Sequence, residues 1–271
     1  MDLQGRLAVV TGASRGLGVP LVHALAGRGA HVVLVARDAA GLEEVAAAVR
    51  ARGGQATCVP CDLADPAALA ALPARLEAVG PPHVVVHNAG VEIPVAVVDQ
   101  RQRDIDLTVA VNLTAPMQLT RALLPGMITR RAGVIVMISS MSGKSPTPYN
   151  AIYCATKYGL VGFTASLDIE LQGTGVHAGV VCPGFVADTG MWASTGLRAP
   201  SSMREVSPDD VVAAMWRVIG GAGEVLVTQL PVRPLLAMSE IAPPLRGAVL
   251  SWMGVTEALR DRAVVTARER G

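Results

Sequence analysis

A tyrosine and a lysine four residues apart are the side chains of this sequence best suited to chemistry. The segment YNAIYCATKYG (149–159) contains all three tyrosines of the 271-residue chain, and its Lys157 is one of two lysines among 23 basic residues. On a helix, Tyr153 and Lys157 would lie on one face, close enough for the ammonium to act on the phenol. A phenol has an unperturbed pKa of about 10, and a nearby cation favours the phenolate. The pair therefore predicts acid–base chemistry at Tyr153.

The other tyrosines have the wrong spacing for this role. Tyr158 would lie on another helix face, and Tyr149 follows Pro148, which indicates a loop before the helix. The alternative is an accidental surface pair. Because arginine is used nearly everywhere else, Lys157 suggests a task that needs a compact ammonium group.

A glycine-rich turn follows the first apolar run. LAVVTGASRGLG places Gly12, Gly16 and Gly18 between a predicted strand and a predicted helix. Glycines there allow a tight turn and a close backbone approach to a pyrophosphate at the helix N-terminus. The spacing is TGxxxGxG rather than GxGxxG, and the alternative is a glycine-rich turn without a ligand. The position of the motif favours a dinucleotide site.

The end of the second predicted strand bears on which dinucleotide binds. An acidic residue there would bind the ribose 2′-hydroxyl of NAD, but the sequence LVARD has Ala36 followed by Arg37. Guanidinium groups bind phosphate through paired hydrogen bonds, so Arg37 and Arg15 favour NADP(H) over the alternative of two solvated loop arginines. Asp38 keeps NAD(H) open.

The rest of the sequence predicts elements that could position these residues. Short, nearly continuous apolar runs alternate with Ala-rich amphipathic segments, which is typical of parallel strands covered on both faces. This pattern predicts an α/β fold: one Rossmann-type, doubly wound, seven-stranded parallel sheet with helices on both faces. The predicted strands are 7–11, 31–36, 56–60, 83–87, 134–139, 176–181 and 224–228.

Composition and sequence pattern exclude several other classes of protein. A formal charge of +1 without a basic run argues against nucleic acid binding. No apolar run is long enough to span a bilayer, and a strand-like run begins too early for a signal peptide. We therefore expect a cytoplasmic protein. Cys58 and Cys61 form an isolated CxxC without a second pair, so we predict core cysteines and no metal site.

Taken together, the motifs resemble the short-chain dehydrogenase/reductase family over about residues 5–230. The matching segments, in order, are TGASRGLG, CDLAD, HNAG, VNLTAP, VIVMISS, YCATK and PGFV. The resemblance implies that Tyr153 is the general acid or base and that Lys157 lowers its pKa and binds the nicotinamide ribose. It further implies that Ser140, rather than Ser139, orients the carbonyl oxygen and that Asn112 holds a water of a proton relay.

The resemblance also implies a set of cofactor contacts. Asp62 would bind the adenine amino group, and Pro183 and Gly184 would border the nicotinamide. The full set of candidate cofactor-binding residues is Gly12, Ser14, Arg15, Gly16, Leu17, Gly18, Arg37, Asp62, Leu63, Asn88, Ala89, Gly90, Tyr153, Lys157, Pro183, Gly184, Val186 and Thr189.

Two positions depart from the family pattern. His87 replaces the asparagine that usually opens NNAG, so the structural role of this position is open. Thr189 lies six residues after Pro183 where the family more often has five, which puts its hydrogen bond to the carboxamide in doubt. Nearby, Glu92 could face the substrate mouth, but we expect a solvated loop carboxylate.

Two segments do not follow the alternation of predicted strands and helices. Met191 and Trp192 fall in 188–210, where the family has a substrate lid. The apolar tail 231–271 predicts two helices separated by Pro243–Pro244. We expect this extension of the single 1–271 domain to act as a lid or subunit contact, with membrane-surface contact as the less favoured alternative.

The sequence therefore predicts an NADPH-dependent, reversible oxidoreductase that reduces a ketone or aldehyde of a lipophilic substrate. The first alternative is a catalytically silent NADP(H) sensor or scaffold of the same fold. Another is an interaction protein that uses its tail, which is compatible with activity. The resemblance implies a homodimer or homotetramer formed through the helix that carries Tyr153.

Overall fold

The computed structural model describes residues 2–193, 197, 199–200, 203–229 and 231–270. Within these residues, seven strands form one parallel sheet in the order β3-β2-β1-β4-β5-β6-β7, which confirms the predicted fold class. Each predicted strand overlaps an observed one within two residues at either end. The strands are β1 (Leu7–Thr11), β2 (His31–Ala36), β3 (Gln55–Pro60), β4 (Pro82–His87), β5 (Gly133–Ile138), β6 (Val176–Pro183) and β7 (Glu224–Val227).

The central strands are buried on both faces because helices cover both sides of the sheet. Val9 of β1 pairs with Val33 of β2 and Val85 of β4, and all three are fully buried. One core lies under α1 (Gly18–Ala26), α2 (Ala39–Ala51) and α8 (Pro208–Ile219). The other lies under α3 (Pro66–Glu77), α5 (Ala115–Arg130) and α6 (Ala151–Glu170). β-Branched valines in continuous apolar runs therefore build the double-sided sheet.

The segment between β4 and β5 contains an irregularity that the sequence did not reveal. Helix α4 (Gln102–Val109) continues through a π-helical turn (Ala110–Thr114) into α5. A π-turn inserts an extra residue in the helix and is frequent at functional sites. Here it carries the candidate residue Asn112, which is fully buried.

The tail differs from the two-helix prediction. Residues 231–270 form α9 (Arg233–Ile241), a 3₁₀ turn at Pro243–Leu245, α10 (Arg246–Trp252) and α11 (Val255–Arg270). The break at Pro243 was predicted correctly, but a further break at Gly254, with φ of 72°, separates α10 from α11. A short helix, α7 (Gly190–Ala193), precedes the tail in the chain.

The tail helices differ in how they pack. Helix α11 buries Val255, Leu259 and Ala263, whereas Ile241 and Trp252 of α9 and α10 are 85% and 86% exposed. Among the described residues, no helix combines the length and apolarity that crossing a bilayer requires.

Candidate active site

The candidate residues gather at the carboxyl edge of the sheet. The strand order reverses between β1 and β4, since the chain winds outward to β3 on one side and to β7 on the other. In open α/β sheets this switch point creates a crevice beyond the strand ends. The glycine loop follows β1, and the HNAG segment spans the end of β4, so both lie at this crevice.

Tyr153 and Lys157 lie on one face of α6, as their spacing predicts. Both side chains are buried, and the Lys157 ammonium lies 5.4 Å from the centroid of the Tyr153 ring. The Lys157 Nζ donates a hydrogen bond of 2.9 Å to the carbonyl oxygen of Ile138, the last residue of β5. The sheet edge therefore fixes the position of the ammonium.

Burial dominates the proton affinity of both groups. Burial, followed by the charge of Glu92, raises the pKa of Tyr153, while a hydrogen bond from Ser140 and the charge of Arg262 act in the opposite direction. Burial lowers the pKa of Lys157 to about 8. The phenol of the cofactor-free protein is therefore protonated at neutral pH, which is the form that donates a proton.

The two serines after β5 have different surroundings. Ser139 is buried, and its hydroxyl donates a 3.0 Å hydrogen bond to the carbonyl oxygen of Lys157. Ser140 is half-buried, its Oγ accepts a 3.1 Å hydrogen bond from the Ser142 amide, and its hydroxyl lies close enough to Tyr153 to act against the rise in the pKa of that phenol. Of the two hydroxyls, that of Ser140 therefore faces the candidate acid, while Ser139 supports α6.

Asn112 connects three parts of the site. Its Oδ1 accepts a 2.7 Å hydrogen bond from the Val91 amide, and its Nδ2 donates to the Val91 carbonyl oxygen at 2.8 Å. The same Nδ2 donates to Thr156 of α6 at 3.2 Å. Asn112 thus ties the segment after β4 to the helix that carries Tyr153; its role in a water relay stays a prediction.

The glycine loop has the shape of a dinucleotide cradle. Gly12 and Gly16 adopt φ values of 66° and 62°, which side chains rarely tolerate. A Cβ on Gly18 would lie 2.1 Å from the Gly12 carbonyl oxygen, so the close approach of α1 to the loop requires glycine. Asn88 Nδ2 donates to the carbonyl oxygens of Thr11 and Gly12 at 3.1 Å, which holds the loop against the HNAG segment.

The loops after β1 and β2 carry the candidate contacts with a 2′-phosphate of the cofactor. Arg15 and Arg37 are both exposed in loops that follow the carboxyl ends of β1 and β2. Asp38 caps α2, because its Oδ1 accepts a 3.1 Å hydrogen bond from the Gly41 amide. Ser14 lies beside Gly41, so its side chain also reaches this corner. Asp38 is exposed and uses one carboxylate oxygen as the cap of α2, and the exposed Arg15 and Arg37 stay candidates for binding a phosphate.

The remaining candidate contacts occupy the neighbouring strand ends. Asp62 Oδ1 accepts a hydrogen bond from the Ala64 amide at 3.0 Å, and Leu63 is buried. Half-buried Leu17 packs against the core under α1. Pro183 ends β6 and Val186 forms a bridge with Val206.

The chain beyond β6 lies close to the glycine loop. Asp188 adopts a left-handed conformation (φ 59°), which turns the backbone immediately before Thr189. The Gly184 amide donates to Val227 of β7 at 2.9 Å. A Cβ atom on Gly16 would lie 3.5 Å from the Gly190 Cα. A Cβ atom on Gly90 would lie 3.2 Å from the Met191 Cε. Helix α7 therefore covers the crevice from its open side.

His87, the departure from the family pattern, has a structural contact in the second core. The imidazole is buried and forms a 2.9 Å hydrogen bond through Nε2 with the Thr120 hydroxyl of α5. Burial lowers the pKa of His87 to about 3. The ring is therefore neutral and joins the end of β4 to α5, just before Asn88 and Ala89.

The prediction of a solvated carboxylate at Glu92 is wrong. Its side chain is 8% exposed and pairs with Arg262 of α11, whose side chain is 7% exposed. The two Nη atoms of Arg262 donate to the two carboxylate oxygens at 2.7 and 2.6 Å. Asn150 Nδ2 donates to the same Glu92 Oε1. Apart from the position of Glu92 after NAG, no sequence pattern pointed to this cluster.

Of the two predicted core cysteines, Cys61 is buried, whereas Cys58 is only partly buried and its thiol donates to Glu43 at 3.4 Å. In the part of the chain that the structure describes, no group of His, Cys, Asp and Glu side chains is placed to hold a metal ion.

The predicted lid residue Trp192 is buried against Phe185, with ring centroids 4.4 Å apart. Six other residues of 188–210 (194–196, 198, 201 and 202) lie outside the described residues.

Comparison with known proteins places this geometry in a family. The short chain dehydrogenase family matches residues 6–199. The ketoacyl reductase HetN of Nostoc sp. is 39% identical over 268 residues, which cover 96% of this chain and 93% of that protein. The oxidoreductase UcpA of Escherichia coli K12 is 34% identical over 264 residues and covers 96% of this chain and 94% of its own length.

Solved structures agree with these relatives. A metagenomic short-chain oxidoreductase in complex with NADP has a TM-score of 0.73 and 36% identity, and the match covers 84% of this chain and 98% of that one. A 3-oxoacyl (acyl-carrier-protein) reductase of Agrobacterium tumefaciens with NADP bound has a TM-score of 0.76 and 28% identity, over 83% and 94% of the two chains. The chain belongs to the short-chain dehydrogenase/reductase family of oxidoreductases.

Proposed function

We propose that the protein is an NADPH-dependent carbonyl reductase that converts a ketone or aldehyde of a lipophilic substrate to an alcohol, reversibly. The observation that carries this proposal is the convergence of Ser140, Tyr153 and Lys157 beside the glycine cradle. A silent sensor or scaffold would need none of these side chains in one buried site.

NADPH, when bound, supplies the hydride that reaches the carbonyl carbon. The loop containing Gly12, Gly16 and Gly18 would hold its pyrophosphate at the N-terminus of α1. Arg15 and Arg37 would hold the 2′-phosphate, and Lys157 would bind the ribose beside the nicotinamide. The exposed arginines after β1 and β2, with Ala36 in place of an acidic residue at the end of β2, favour this cofactor over NADH. Two of the structural relatives were solved with NADP, which supports the same choice.

The chain's own groups handle the proton. Tyr153 carries its proton at neutral pH because burial raises its pKa, so it can donate that proton to the substrate oxygen as negative charge develops there. Ser140 would donate a second hydrogen bond to the same oxygen and orient the carbonyl. In the reverse direction, Tyr153 would accept the alcohol proton. Positioned acid catalysis of this kind contributes about 10²–10⁴-fold in rate.

The preference for a lipophilic substrate rests on the cover of the crevice. Met191 of α7 lies against Gly90 at the crevice, Trp192 is buried beside Phe185, and α11 buries Leu259 and Ala263. The relative HetN is a ketoacyl reductase, and 3-oxoacyl chains are apolar carbonyl substrates. We therefore propose 3-oxoacyl thioesters, steroid-like ketones and long-chain aldehydes as the classes to test.

Assembly and location are part of the proposal. Tyr158 and Ile169 of α6 are 39% and 67% exposed, which supports a homodimer or homotetramer formed through this helix. The proposed location is the cytosol. Membrane-surface contact by exposed Ile241 and Trp252 is the less favoured alternative. Sedimentation of the purified protein, with Ile169→Glu as the variant, tests the assembly.

The activity is tested by NADPH oxidation with carbonyl substrates graded by size and apolarity, beside a Tyr153→Phe variant. We expect turnover that rises with apolarity and falls at least about 100-fold in the variant. Faster turnover of small polar ketones would contradict the lipophilic substrate. Tight NADPH binding without turnover of any substrate would favour the sensor.

A further inference from the structure

The buried ion pair between Glu92 and Arg262 lies near Tyr153, since Asn150 at the start of the same helix donates to Glu92, and the proposed reduction does not use it. Glu92 is the fifth residue after the end of β4, and its negative charge raises the pKa of Tyr153. Arg262 comes from α11, 170 residues further along the chain. A buried charge pair with one partner missing is strongly unfavourable. The pair therefore makes the active site sensitive to whether α11 is in place.

Arg262 binds more than one segment at the mouth of the site. Besides its two hydrogen bonds to Glu92, its Nη2 donates to the carbonyl oxygen of Met191 at 3.0 Å. The guanidinium carbon lies 5.5 Å from the centroid of the Trp192 ring, within cation–π distance. One guanidinium group thus holds the segment after β4, α7 and α11 together.

The rest of α11 supports the same orientation. Leu259 and Ala263, three residues before and one after Arg262, are 4% and 8% exposed, so they lie on the buried face. Arg260 is exposed on another face, where its Nε donates to the Tyr149 hydroxyl at 3.1 Å. The helix therefore offers two arginines two residues apart, one inside the site and one outside it.

We propose that Arg262 is a positioning residue of the active site: its two-point ion pair with Glu92 docks the C-terminal helix over Tyr153, neutralises the carboxylate beside that tyrosine and fixes helix α7. This inference rests on the proposed reduction for its catalytic part and on the geometry of the pair for its docking part. It assigns to the C-terminal segment a place in the active site.

The proposal predicts an electrostatic effect at Tyr153. The groups that face this phenol are Glu92 from the segment after β4, Arg262 from α11, Ser140 after β5, and Cys154 and Lys157 from α6. With Arg262 removed, the charge of Glu92 is no longer compensated, so the phenol holds its proton more strongly. The double change Glu92→Gln with Arg262→Gln removes both charges and restores the balance.

Two measurements on the full-length protein test the proposal. The first is hydrogen exchange of the α11 amides, which needs no turnover. We expect exchange at least tenfold faster in Arg262→Gln and in Glu92→Gln, and a smaller change in Arg260→Gln, the comparison variant on the same helix, which loses only an exposed contact with Tyr149. Arg262→Lys keeps the charge but loses the two-point contact, so its α11 should also exchange faster.

The second measurement is the pH profile of kcat/KM for alcohol oxidation, in which Tyr153 acts as the base. The midpoint should move up by at least half a pH unit in Arg262→Gln and return towards wild type in Arg262→Lys and in the double variant. KM should rise in Arg262→Gln because α7 is no longer held. Unchanged exchange, or an unchanged pH midpoint, in Arg262→Gln overturns the proposal. Faster exchange with a wild type inactive on every substrate supports the docking and overturns the proposed reduction instead.

Discussion

The neutral His87 in the core predicts a specific loss of stability in acid. Its imidazole is buried, and its pKa is lowered from 6.5 to about 3. In the unfolded chain the same group binds a proton below pH 6.5. A group whose folded pKa is depressed contributes stability above its unfolded pKa, and that stability is lost as the pH falls. The loss from His87 therefore runs from pH 6.5 down to about 3.

The size of the loss follows from the pKa difference. One pKa unit corresponds to about 1.4 kcal/mol, so lowering the pH from 6.5 to 5 costs about 2 kcal/mol at this residue. Any folded pKa of about 4 or below gives nearly the same cost at pH 5. Against a typical unfolding free energy of about 5–15 kcal/mol, this cost is measurable.

Equilibrium urea unfolding at pH 7.5 and pH 5 measures the effect. His87→Asn, which introduces the residue usual in the family, should reduce the acid loss of unfolding free energy by about 2 kcal/mol relative to wild type. Contributions from other titrating groups are common to both proteins and cancel. Thr120→Val removes the hydrogen bond but keeps the imidazole, so its acid loss should equal that of wild type. Equal losses in wild type and His87→Asn would refute the reasoning.

Two further changes test the cofactor site. Arg37→Asp should weaken NADPH binding relative to NADH by about tenfold or more, because a charge-assisted hydrogen bond contributes about 1.5–3 kcal/mol. Arg52→Asp at the other end of α2 is the control. An unchanged ratio of the NADPH and NADH affinities in Arg37→Asp, measured by fluorescence titration, would contradict the assignment. Gly18→Ala should abolish NADPH binding or folding because its Cβ would lie 2.1 Å from the Gly12 carbonyl oxygen. Gly247→Ala is the control: a Cβ at Gly247 has no neighbouring atom within 4 Å, so this variant should keep the circular dichroism spectrum and the NADPH binding of the wild type. Normal binding by Gly18→Ala would show that α1 can move away from the loop.

Local sequence signals predicted the sheet and the pair of Tyr153 and Lys157. The apolar runs at 7–11 and 31–36 match β1 and β2 residue for residue. Such runs are decided by local residue type, since a strand buried on both faces requires apolar side chains throughout. The spacing of Tyr153 and Lys157 likewise depends on one helix, and the structure places both on the same face.

Features that depend on distant packing were not predictable from the sequence. The pairing of Glu92 with Arg262 joins residues 170 positions apart and depends on how α11 docks. The neutral state of His87 depends on burial beside Thr120, and the π-turn at Asn112 replaces what reads locally as an ordinary helix. In each case the deciding interaction is tertiary, so composition and periodicity carried no signal for it.

The central claim is that Tyr153 protonates a carbonyl oxygen as hydride arrives from NADPH. Incubation with NADPH deuterated at the transferable position and an apolar ketone, followed by mass spectrometry of the alcohol, tests it most directly. We predict one deuterium on the carbinol carbon with wild type, and a rate at least about 100-fold lower in Tyr153→Phe at saturating NADPH. Deuterium transfer at the wild-type rate in Tyr153→Phe would contradict the account.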